Sequence, residues 1–262
     1  MLLDCPKFNR ASLALGESTD LQSSNLKMSV TRTAADLNKY SVNIDSPAAG
    51  LKLYASFALK QYPSNVWSIP LSNDLKTQFA AMKQPVSLSG IYTLDGQMHQ
   101  CTTKCLMMID NGRGHFNYGV AYFWVLLMTE LADGRQVFIN LSDGLGSEFN
   151  SVDKASEDFI IVGDIHYKLD VTRLDYYKDD YLSKKRVYTM PETESKQYKG
   201  RSCDLEFTAV EKFEDGVNAA VVAMKQYLIY GYFTGHCTID GEKLDIVKAY
   251  GHVEHVFPDG ES

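Results

Sequence analysis

The chain has 262 residues, 45% of them hydrophobic and 23% charged, an ordinary globular composition that excludes disorder as its main state. A formal net charge of −7 and a pI near 5.4 exclude binding to nucleic acid through a basic stripe, because no surplus of cations is available to displace counterions from phosphates. The densest basic stretch, "SKKRVY" at 183–188, runs into acidic "ETE" and reads as a solvated turn.

The first residues lack a basic segment followed by a long apolar one, so no secretory leader is expected. No apolar run approaches the ~18 residues that span a bilayer, so no transmembrane segment is expected either. Cys5, Cys101, Cys105, Cys203 and Cys237 are odd in number, which points to free thiols, a reducing compartment and a cytoplasmic location.

Along the chain, "GLKLYASFALK" alternates: Leu51, Leu53, Ala55, Phe57 and Leu59 share one face, as in a half-buried strand. "SNDLKTQFAAMKQP" carries a cap residue and stops at Pro85, the pattern of a short helix or turn. "VSLSGIYTL" and "QMHQ" flank Asp95-Gly96, one of six Asp-Gly pairs. Both central positions of a type I′ hairpin turn need positive φ, which Gly takes freely and Asp tolerates. "QCTTKCLMMID" reads as one strand, which would hold the Cys101 and Cys105 side chains about 13 Å apart at ~3.3 Å per residue. Inert buried thiols are therefore expected there.

"DNGRGHFNYGVAYFWV" places Asp110, Arg113 and His115 directly before Phe116, Tyr118, Tyr122, Phe123 and Trp124. Two readings stay open. Asp110 and Arg113 form an ion pair fixing a tight turn that plugs a barrel, or they stand as a polar site at the rim of an apolar cavity. "GVAYFWVLLMTELA" and "RQVFINL" then flank Asp133-Gly134 as a hairpin, and "HYKLDVTRLDYY" alternates as a strand with one wet face. Residues 178–202 read as a long exposed loop. "CDLEFTAVEKFE" is expected to turn at Asp215-Gly216, residues 219–225 suit either a helix or a strand, and "EKLDIVKAYGHVEHVF" follows a turn at Asp240-Gly241.

In a strand, "GHVEH" puts His252 and Glu254 on one side and His255 on the other, which disfavours zinc. Glu254 with His252 is then either an acid–base pair or a structural carboxylate with its own partner.

The expectation is an all-β, antiparallel protein with little helix, closed as a barrel or a pair of barrel-like halves. Residues 1–40 form a partly irregular segment, 41–180 a first half, and 181–262 the strands that complete a second. Such barrels hold either packed side chains or one apolar ligand.

Two stretches resemble the family called domain of unknown function 2804. In "DNGRGHFNYGVAYFW", the residues Asp110, Arg113, Gly114, Phe116, Tyr118 and Trp124 match its pattern, while Asn117 replaces a Pro and Tyr122 a first Trp. In "QYLIYGYFTGHCTIDGEKLDIVKAYGHVE", Gln226, Gly231, Phe233, Gly235, Gly251 and Glu254 match, and "KQPVSLSG" suits the family's Lys…Gly pattern. That family resembles the lipocalin-like (calycin) two-barrel proteins that include carotenoid hydratases and tocopherol cyclases. The resemblance implies a small hydrophobic, isoprenoid- or lipid-like ligand, no metal and no cofactor, and cofactor-free hydratase or cyclase chemistry. Asp110 would be the acid, Arg113 its orienting partner, and His115 or Glu254 a second proton carrier. Phe116, Tyr118, Tyr122, Trp124, Tyr232 and His252 would line the ligand. The alternative is a non-enzymatic carrier or structural β-barrel in which these groups lock the fold.

Overall fold

The computed structural model describes residues 7–9, 18–33, 38–59, 65–70, 78–101, 105–115, 121–143, 157–175, 185–189, 198, 200–219 and 222–258. These form β1 (Lys7–Asn9), β2 (Ser18–Gln22), β3 (Lys27–Arg32), β4 (Lys39–Ser46), β5 (Leu51–Ala58), β6 (Asn65–Pro70), β7 (Gln78–Ser87), β8 (Ser89–Leu94), β9 (Gln97–Cys101) and β10 (Leu106–His115). They continue with β11 (Tyr122–Glu130), β12 (Gln136–Asp143), β13 (Phe159–Val162), β14 (Ile165–Lys168), β15 (Thr172–Asp175), β16 (Lys185–Thr189), β17 (Arg201–Ala219), β18 (Val222–Ile239) and β19 (Glu242–Pro258). Among the described residues the only helical element is a 3-10 turn at Pro47–Ala49, so the chain is all-β as its alternation and turn chemistry indicate. Among them, too, no helix is long and apolar enough to cross a membrane.

The chain divides into two compact units, Met1–Val66 with Met82–Asn111, and Trp67–Ala81 with Gly112–Ser262. The first holds a seven-stranded sheet in the order β1-β2-β3-β4-β5-β8-β9. Its core joins Val42, Ala55, Phe57 and Val86 to the partly buried Leu53, Leu88, Met107 and Ile109. β5 buries Ala55 and Phe57 and exposes Lys52, Tyr54 and Ser56, as its period of two requires.

The second holds nine strands in the order β14-β13-β12-β11-β19-β18-β17-β16-β15. One core cluster takes Ile160 from β13, Val125 and Leu127 from β11, Phe233 from β18, Phe207 from β17, Val187 from β16 and Leu174 from β15. Side chains from both ends of the strand order meet in this cluster, so the sheet curls on itself as a barrel. Among the described residues this core is packed with the unit's own side chains. Where β12 and β15 approach without a continuous ladder, carboxylates bridge them. Asp158 accepts the Thr172 N–H at 3.0 Å and the Ser142 hydroxyl at 3.2 Å, and Asp143 accepts Arg173 at 2.8 Å and the Leu174 N–H at 3.2 Å.

Several sequence expectations need correction. Asp95-Gly96 and Asp240-Gly241 do form two-residue turns, with φ of 50° and 80°, then 50° and 93°. Asp215-Gly216, by contrast, lies inside β17, opposite Gln226 and Lys225, because cross-strand pairing overrides its turn preference. Residues 78–85 are part of β7 rather than a helix; strand pairing with β10 and β6 outweighs two alanines. Within 219–225, the ambiguity resolves to a hairpin, with Ala219 opposite Val222. The basic "KRVYT" is strand β16, with Val187 fully buried, not a solvated turn. "HYKLDVTRLD" breaks after Lys168 and resumes at Thr172. Cys203 and Cys237, opposed on β17 and β18, are joined by a disulfide, so the expectation of free thiols fails for them.

Gly231 and Gly251 face each other across β18 and β19. A Cβ on Gly231 would sit 2.2 Å from the Thr208 carbonyl oxygen and 2.8 Å from the Phe207 ring; one on Gly251 would sit 2.1 Å from the Leu126 oxygen and 2.9 Å from Leu127. Both clashes include backbone, which cannot rotate away. Gly251→Ala is therefore expected to destabilise the protein by about 3 kcal/mol in denaturant unfolding, with Ala at the exposed turn position Gly241 costing less.

Candidate functional site

Four strands bend together at the glycine pair. On their core side Phe207 and Phe233 pack with ring centroids 4.6 Å apart. On the opposite side lie the flanking residues, Tyr230 paired with His252 and Tyr232 paired with Tyr250. β17 adds a bulge: Ala209 pairs with Gly231 and Glu211 with Tyr230, leaving Val210 as the extra residue. The result is an open hollow of about 400 Å³ lined by Leu126, Met128, Val210, Tyr230, Tyr250 and His252, with the two glycines between them. Val210 and Tyr250 remain 68% and 67% exposed, a large apolar surface to leave in water.

One edge of the hollow is polar. His252 meets the Trp124 indole edge-on at 5.0 Å and Tyr230 at 5.9 Å. Trp124 is held by its Nε1–H, which donates to Asn140 Oδ1 at 2.8 Å; Asn140 in turn donates to the Glu157 carbonyl at 2.8 Å. Two residues beyond His252 along β19, buried Glu254 accepts the Tyr122 hydroxyl at 3.0 Å. His255 points to the other side, stacked 3.9 Å from Phe123 and tilted against Phe257 at 4.6 Å. His252 and Glu254 thus share a face, as the strand reading of "GHVEH" requires. Tyr232 pairs with Tyr250 beside the hollow, and the Lys248 ammonium lies 5.0 Å from its ring centroid.

Asp110 belongs to the other unit. Its carboxylate lies 3.8 Å from the Lys83 ammonium; Lys83 is 3% exposed and Asp110 32%. Burial raises the Asp110 pKa above its ordinary value, and the Lys83 charge pulls it part of the way back. Sequence reasoning named Arg113 as the partner and missed Lys83, although Lys83 opens the "KQPVSLSG" pattern. Arg113 and His115 lie on the β10 backbone, with side chains outside those described, and Phe116 and Tyr118 lie outside the described residues. Of the expected residues, the structure gathers Tyr122, Trp124, His252 and Glu254 in one cluster, with Tyr232 nearby. The signals for Val210 and Met128 were absent from any motif, since one depends on a bulge and the other on strand register.

The sequence profile of the family Domain of unknown function (DUF2804) matches residues 3–258. The chain belongs to that family. No curated protein matches this DUF2804 chain in sequence. Among solved structures, it is similar to CghA in complex with Sch210972, at 9% identity and a TM-score of 0.44 over 92% of this chain and 70% of that one. It is similar also to kievitone hydratase from Nectria haematococca, at 11% identity and a TM-score of 0.38 over 92% and 84%.

In the DUF2804 chain the folded Asp110 carboxyl holds its proton more tightly than the unfolded one. The cost of burying its charge is therefore complete above the folded-state titration, shrinks as pH falls through it and is gone below the unfolded-state titration. A carboxyl NMR titration is expected to place Asp110 above the ordinary aspartate value, and Lys83→Met is expected to move it higher still. A midpoint at or below the ordinary value would contradict the burial argument.

Proposed function

We propose that this protein binds a small hydrophobic molecule in the hollow beside Gly231 and Gly251, and that His252 and Glu254 serve as proton carriers for cofactor-free hydration or cyclisation of it. The single observation that carries this reading is His252, an imidazole set in a wall otherwise made of Leu126, Met128, Val210 and two tyrosines. An imidazole is the side chain best suited to move protons near neutral pH. Tyr230 and Trp124 flank the ring, so their faces would stabilise positive charge developing on a bound alkene. Glu254, with the Tyr122 hydroxyl on its carboxylate, would return the proton.

Asp110, whose raised pKa suits a proton donor, is proposed as the acid of a separate step. The second reading is a carrier without chemistry. It is favoured by the Trp124–Asn140–Glu157 chain of hydrogen bonds, which fixes the wall as a scaffold would.

The test separates binding from chemistry. Met128→Trp, which fills the hollow, is expected to weaken binding of an anilinonaphthalene-type apolar fluorophore about tenfold, a loss near 1.4 kcal/mol. His252→Ala is expected to leave that binding within a few-fold but to abolish deuterium uptake from heavy water into a bound polyene. No uptake in the unaltered protein would leave only the carrier, and uptake unchanged in His252→Ala and in Glu254→Gln would remove these two as the proton carriers; unaltered fluorophore binding in Met128→Trp would remove the hollow itself as the site.

A further inference from the structure

Cys101 and Cys105 are not the separated pair their spacing in one strand would make them. Cys101 ends β9 opposite Gly90 of β8. Cys105 stands immediately before β10, and its carbonyl accepts the Leu88 N–H at 2.8 Å. Leu88 and Gly90 are two positions apart, so both cysteines come back to one short stretch of backbone. Neither is in a disulfide; Cys101 is buried and Cys105 partly exposed. The two do not share one strand as expected, since β9 ends at Cys101 and β10 begins at Leu106.

We propose that Cys101 and Cys105 are a modification site, a dithiol that a low-molecular-weight disulfide oxidises to an intramolecular bond. The partly exposed Cys105 is the point of entry, since a thiolate must reach the oxidant. Its sulfur attacks one sulfur of the oxidant, forming a mixed disulfide and expelling the first thiolate. That thiolate takes up the proton from Cys101, whose sulfur then attacks Cys105 Sγ and expels the second. The protein loses two hydrogens and two electrons, and the oxidant becomes two thiols.

Burial, and then the neighbouring Cys105, pushes the Cys101 thiol up to about 11, so Cys101 is the resolving and not the attacking group. The bond would tie the end of β9 to the start of β10. It would do so beside the Leu88–Cys105 hydrogen bond, five residues along each strand from Lys83 and Asp110. Oxidation thus staples the ladder that holds this ion pair.

The full chain carrying Cys5→Ser is to be treated with glutathione disulfide under native conditions and mapped by mass spectrometry without reduction. A Cys101–Cys105 link lacking two hydrogens is expected, with Cys203–Cys237 unchanged and a higher melting midpoint than the reduced form. Cys101→Ser, or Cys101→Ala if the serine variant does not fold, is expected to retain glutathione on Cys105 and to show no such rise. Glutathione retained on Cys105 at the end point while Cys101 is present would overturn the proposal. So would thiols that close only after the chain is unfolded, or that do not react at all.

Discussion

Two glycines that face each other set the shape of the second unit. At Gly231 and Gly251 the neighbouring backbones come so close that a methyl group would overlap a carbonyl oxygen. Around this approach β17, β18 and β11 contribute Phe207, Phe233 and Leu127 to one core. On the opposite face lie Tyr230, Tyr250 and His252, which line the hollow. Core and hollow are two sides of one steric fact, and a side chain at either glycine would disturb both.

The curled sheet still has two ends, and they are joined by charge more than by pleated pairing. Asp158 and Asp143 reach from the β12 side to backbone N–H groups of β15, which spares those donors from being buried unsatisfied. Lys168 contributes from the same region by donating to the Asp158 and Leu169 carbonyls at 2.8 and 3.0 Å. Burial lowers its pKa even though Asp158, Asp170 and Glu157 all favour its charge. Desolvation outweighs three carboxylates there, as expected of an ammonium surrounded by packed strands.

The β character of the chain was legible because alternation and Asp-Gly turns are local signals. "GLKLYASFALK" and the pairs at 95–96 and 240–241 folded as their chemistry demands. What failed was decided by distant partners. Residues 78–85 and 219–225 have no strong local preference, and β10 and the β17–β18 hairpin settled them. At the site, the common face of His252 and Glu254 followed from period two alone. Their neighbours Trp124 and Tyr122 followed only once the register of β11 against β19 was known. Lys83 was visible as a motif residue but not as the partner of Asp110, because 27 positions separate Lys83 from Asp110 and only pairing of β7 with β10 brings them together.

That register has a further cost, borne before the protein is complete. Tyr122 lies opposite Val256, so one rim of β11 has no partner until Glu242–Pro258 has left the ribosome. Contacts of such reach close slowly, and meanwhile the ribbon carrying Leu126 and Leu127 offers bare peptide groups and greasy side chains to any passing nascent chain. Translation of the intervening stretch is therefore the interval in which this molecule is most open to aggregation.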